Sequence, residues 1–121
     1  PKTLVVKGIT VSAAVQVILA GGPLVYVLGA AFGHTALSLA TAESASFATG
    51  TTKAPRRVPL GMLSCVVTAA VSTTLGQVNV QFDSPIVVNP GEYFAITARN
   101  VGTVTTTGAV AFVARVDHYF E

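Results

Sequence analysis

The groups best suited to acid–base, metal or thiolate chemistry are few in this chain of 121 residues: His34, His118, Cys65, Glu43, Asp83, Glu92, Asp117 and Glu121. A hydrolase or transferase needs an activated nucleophile, a base and an orienting acid around one pocket. No spacing here supplies that set. His118 falls on the apolar face of the last predicted strand, where a hydrogen-bonded core or rim histidine accounts for it. His34 follows Phe32-Gly33 and is the better functional candidate of the two histidines, although a histidine that caps backbone groups in a loop is the favoured reading of it. Cys65 sits in Met62-Leu63-Ser64-Cys65-Val66-Val67 and reads as a small buried hydrophobe.

Two histidines and one cysteine at positions 34, 65 and 118 give no zinc-ligand spacing, and the carboxylates form no Asp-x-Asp calcium loop. Gly21-Gly22-Pro23 and the glycines from Gly29 to Gly33 match neither phosphate-cradling pattern. The sequence therefore implies no cofactor and no catalytic residue.

Charge is sparse, with seven Lys or Arg against five Asp or Glu. Three of those cations fall in Lys53-Ala54-Pro55-Arg56-Arg57. Such a cluster suits the acidic groups of a neighbouring subunit or a solvated strand start; phosphate is the weaker match, because nucleic-acid binders carry a basic stripe. Tyr93, Arg99, Arg115 and Tyr119 occupy the more polar strand faces, where they could anchor a contact or form ordinary cross-strand pairs. The candidate subunit-interface set is His34, Lys53, Arg56, Arg57, Tyr93, Arg99 and Tyr119.

The elements that must position these residues are set by composition. Apolar residues make up 51% and charged residues 10%, which excludes disorder and predicts one domain over 1–121. A folded monomer of this mass exposes on the order of 6,000 Å², so each charge would serve roughly 500 Å². A membrane or other protein chains must cover part of that surface. The 35 residues from Gly8 to Ala42 lack Asp, Glu, Lys and Arg, yet Gln16 and Gly21-Gly22-Pro23 divide them into apolar runs shorter than the roughly 20 residues of a spanning helix. No signal peptide is read at the start. Protein is the expected cover, with no membrane expected.

Val, Ile and Thr account for 39 residues, and the chain reads as short strands punctuated by Gly, Pro and Asn. Strands are predicted over Leu4 to Val11, with a continuation through Leu19 allowed after a bend near Gly8 or Ser12, over Leu24 to Phe32 with both faces apolar, from Arg57 or Val58 to Val67, around Val78 to Phe82, over Ile86 to Val88, over Tyr93 to Arg99, and from Val110 to Phe120. Asp83-Ser84-Pro85 reads as a break. Asn89-Pro90-Gly91-Glu92 reads as a type II turn, with Pro90 presetting φ and Gly91 supplying the positive φ. Gly33 to Pro55 reads as a long loop, within which Leu37 to Ala45 allows a short helix. Gly102 to Gly108 reads as a Thr-rich turn, and the last strand running to Glu121 predicts an ending tied to the sheet. Seven or eight strands at this spacing predict an all-β, antiparallel two-sheet β-sandwich of jelly-roll-like topology.

Three stretches, Ala31 to Glu43, Thr52 to Gly61 and Val87 to Phe94, resemble C-terminal regions of bacteriophage virion structural proteins of the metagenomic and marine phage type. The resemblance covers about Leu24 to the end. It implies a β-sandwich subunit of a head, decoration or tail assembly, located in the virion, with copies of itself and other virion proteins as partners. Such proteins are often longer than this chain. The expected function is thus a non-enzymatic structural subunit that associates through apolar strand faces and the 33–55 loop, with no nucleic acid bound. The alternative is a glycan- or receptor-binding module at a fibre or tail tip, which would want exposed aromatics beside acids and amides.

Overall fold

A computed structural model describes residues 2–15, 22–39, 53–67, 73–102 and 110–121. Its elements are six strands: β1 (Leu4–Val15), β2 (Gly22–His34), β3 (Arg56–Val67), β4 (Thr73–Val88), β5 (Tyr93–Asn100) and β6 (Val110–Phe120). They form two antiparallel three-stranded sheets, ordered β4-β1-β6 and β3-β2-β5. The chain is all-β. No described helix is long and apolar enough to cross a membrane.

Leu24, Leu28 and Ala30 of β2 face Val6, Ile9, Val11, Ala13 and Val15 of β1 in one core, with Leu60 and Leu63 of β3 and Leu75, Ile86 and Val88 of β4 joining it. Tyr26, Phe32, Phe94 and Ile96 pack around its rim. The strand expected over Leu24 to Phe32 is thus present, central in its sheet and with its even-numbered face inward.

Elsewhere the phase of that alternation is reset by extra residues. In β1 the pairing with β6 slips between Val6 and Gly8, leaving Lys7 exposed as the inserted residue. Val6 and Ile9 therefore both point inward although their parity differs. Leu60 is the inserted residue in β3, between Pro59 opposite Gly29 and Gly61 opposite Leu28. Gly61 takes φ +137°, a conformation side chains rarely adopt, and the slip lets Leu60 and Leu63 share the core face.

Six strands stand among the described residues where seven or eight were expected. Asp83-Ser84-Pro85 bends the chain, as β1 pairs Val6 with Ile86 and Gly8 with Gln81, but it does not end the strand. Pairing with the same neighbour on both sides of the kink joins the two expected strands into β4. The turn at Asn89–Glu92 forms as expected: the Glu92 N–H donates to the Asn89 carbonyl at 3.0 Å and Gly91 has φ +84°. Pro59 lies on an edge strand, where its missing N–H is tolerated. Gly33 and His34 belong to β2; residues 40–52 of the expected loop, with Glu43, most of the 37–45 segment, and 103–109 of the Thr-rich turn, lie outside the described residues. So does the side chain of Cys65.

The two margins of the sandwich differ. β3 and β4 approach across the sheets and close one side, whereas among the described residues β5 and β6 make no comparable approach on the other, where Phe112 of β6 meets Tyr26 of β2 edge to face at 5.0 Å. Every residue of β6 except Val110 and Val116 is exposed.

Candidate functional site

Five of the seven candidate interface residues converge at one end of the β3-β2-β5 sheet. Phe32 pairs with Arg56 on one side and Phe94 on the other, and His34 pairs with Tyr93. Gly33 is an inserted residue in the β2–β5 ladder, with φ +83°. The insertion turns His34 onto the side of the sheet that Tyr93 occupies, away from the core face of Phe32 and Phe94. The Arg56 guanidinium covers Gly33, in the space a Cβ would need, and sits 4.8 Å from the Phe32 ring centroid. The backbone angle favours glycine there, while the guanidinium, at the end of a flexible side chain, could shift to admit a Cβ.

His34 is the one fully buried polar side chain of the described residues, 1% exposed. Its ring stacks on Tyr93 with centroids 5.9 Å apart, and its Nδ1 has no hydrogen-bond partner among the described residues. Burial, helped by the positive charge of Arg57, lowers its pKa from the ordinary 6.5. The imidazole is therefore neutral at pH 7.

Glu92 anchors the same corner. Its side chain is 5% exposed, and Oε2 accepts from Lys53 Nζ at 3.2 Å. Oε1 accepts from the Asn89 N–H at 3.1 Å, closing the turn. Burial alone would raise its pKa, but the Asn89 N–H and the cations Lys53 and Arg56 outweigh burial and hold it below the ordinary 4.5. The Lys53 N–H donates to Thr35 Oγ1 at 2.8 Å, so residue 53 is tied to the residue that follows β2 as well. With both oxygens of Glu92 engaged, this corner has the make-up of a clasp between strands. Among the described residues no three His, Cys, Asp or Glu side chains group as metal ligands.

Arg57 also lines an open groove of about 460 Å³ on the outer face of this sheet, whose floor is Val27, Gly29 and Pro59 and whose other cation is Arg99. Thr97 donates from Oγ1 to the Gly29 carbonyl at 3.2 Å and closes the floor. Arg99 thus joins the candidate set through the groove. Tyr119 does not: it stands in the other sheet, on β6 opposite Val5, 45% exposed.

Two features lay beyond the sequence reading. One is the buried clasp role of Glu92, since its partner is 39 residues away in sequence. The other is a polar groove of about 290 Å³ on the outer face of the β4-β1-β6 sheet, lined by Gly8, Thr10, Asn79, Gln81, Arg115 and Asp117. The alternation Asn79, Gln81 and Arg115, Asp117 carried its signal, but only the register brings the two pairs to either side of Gly8 and Thr10. The chain matches no protein-family model, no curated protein and no solved structure.

Proposed function

We propose that this chain is a non-enzymatic structural subunit of a phage particle, held among copies of itself and other virion proteins by strand surfaces its own fold leaves uncovered. The observation that carries this reading is the distribution of large apolar side chains. Met62, Val87, Tyr93, Phe112, Val113, Tyr119 and Phe120 are all exposed on strands, in a chain with 12 charged residues. In regular strands such side chains are held rigidly at fixed spacing, which is what a repeated contact in a particle requires.

The nesting of the strands supports a jelly-roll-like arrangement. β1 pairs with β6 and β2 with β5, while β3 and β4 meet across the sheets, as in a long hairpin rolled on itself. The clasp of Lys53, Glu92 and Arg56 is read as fixing the corner where the connection between β2 and β3 would meet a neighbour. Proteomics of purified particles from a phage encoding this chain tests the proposal. Peptides from the chain at many copies per particle would support it, and their absence from the particle would contradict it.

A second reading, a glycan- or receptor-binding module, draws on the polar groove at Gly8, Thr10, Asn79, Gln81, Arg115 and Asp117, whose amides, hydroxyl and charges are the groups that bind sugar hydroxyls. Glycan-array binding lost on Gln81→Ala would favour it over the first.

A further inference from the structure

Each sheet has two edges, and three of the four carry devices that hinder pairing with another chain. β3 has Arg56, Arg57, Pro59 and the inserted residue before Gly61. β4 has Gly76 at φ +103° and the wide slip around Asp83-Ser84-Pro85. β5 is only 8 residues long. β6 has none of these. It runs for 11 residues without Pro, Gly or Lys, and in its ladder with β1 the inserted residue lies on β1. Among the described residues, four of the nine exposed large apolar side chains lie on this strand: Phe112, Val113, Tyr119 and Phe120.

The sequence of β6 is also complementary to itself when reversed about Val116. Arg115 and Asp117 flank that residue on the outer face, and among the described residues neither has an ion-pair partner. We propose that a second copy of this chain adds to the sheet through β6, antiparallel about a twofold axis at Val116, giving a continuous β4-β1-β6-β6-β1-β4 sheet. The inference rests on the reading of this chain as an assembling subunit and names the surface that would assemble.

Charge favours this register over the two adjacent ones. Both copies keep their outer faces on one side only if paired residue numbers differ by an even step. Centring on Val116 sets each Arg115 opposite Asp117, each Val113 opposite Tyr119 and each Phe112 opposite Phe120. Moving the centre by one residue sets Arg115 against Arg115 or Asp117 against Asp117, and like charges directly opposed are destabilising. The selected register therefore gains two opposite-charge pairs, two aromatic–β-branched pairs and two aromatic pairs.

Sedimentation velocity and native mass spectrometry on the whole chain test the proposal, with circular dichroism to confirm that each variant is folded. The expected result is a dimer at tens of micromolar for the wild type. Arg115→Glu, which opposes Glu to Asp117 twice, should raise the dimer dissociation constant by about tenfold or more. The double exchange Arg115→Asp with Asp117→Arg preserves both pairs and should bring the constant back to within about threefold of wild type. Failure of the double exchange to rescue, or indifference to Arg115→Glu in a chain that still assembles, overturns pairing through β6 and leaves the subunit reading standing. A chain that is monomeric at about 100 μM, or one whose β6 takes up a strand of other sequence while it stays monomeric, overturns the twofold pairing.

Discussion

The β3/β4 margin and the β5/β6 margin of this sandwich are built from the same apolar stock and end in opposite conditions. At the first, an inserted Leu60 and a positive-φ Gly61 turn two leucines into the core, and the sheets close. At the second, β6 keeps a regular alternation, and Phe112 and Phe120 stay 38% and 58% exposed. Irregularity in a strand aims side chains inward and spoils the edge; regularity leaves the edge usable. The closed margin accounts for stability, and the open margin is where association is expected.

The largest predicted effect separates the two directly. Leu28→Ala empties the centre of the core, where the side chain is 1% exposed, and should cost about 2–5 kcal/mol of unfolding free energy in urea titration. Phe120→Ala, an equally apolar truncation at the open margin, should change monomer stability by about 0.5 kcal/mol or less. Equal costs for the two would break the comparison.

Next in size is Gly61→Val on the closed margin. At φ +137° a β-branched residue is strained, and a Cβ would already touch Val78 at 3.4 Å. The expected loss is about 1–3 kcal/mol, read from the thermal midpoint.

A smaller effect concerns the corner where β5 begins. His34 has a pKa lowered from 6.5, so the unfolded chain takes up a proton that the folded one resists. Its contribution is complete above pH 6.5 and is lost as pH falls below that value. Glu92, lowered from 4.5, contributes above pH 4.5 and loses that contribution as pH falls through its folded value. Stability should therefore fall in two stages on acidification, and Glu92→Gln should remove only the lower one in denaturant titrations across pH. The smallest change is expected for Lys53→Ala, whose side chain is 65% exposed; about 0–1 kcal/mol is the range for such a pair.

Much of this was legible in local pattern. The alternation over Leu24 to Phe32, the edge position of Pro59 and the turn at Asn89-Pro90-Gly91-Glu92 each depend on residues close in sequence. The inserted residues at Lys7, Gly33 and Leu60 were not legible, because an insertion is defined against a partner strand. Asp83-Ser84-Pro85 misled for the same reason: its stop signal is real, but β1 pairs on both sides of it. In the site, Arg56, Arg57 and Tyr93 stood out by type. Their meeting with His34 depends on the Gly33 insertion, and the clasp role of Glu92 depends on Lys53, far away in sequence.

Hydrogen exchange at two protein concentrations, read separately on the edge strands β6 and β3, tests the contrast most directly. Raising the chain from about 1 to about 100 μM should protect amides of β6 by roughly threefold or more while those of β3 keep their rates. Unchanged β6 amides, or protection that appears on β3 instead, would contradict the assignment of association to the open margin.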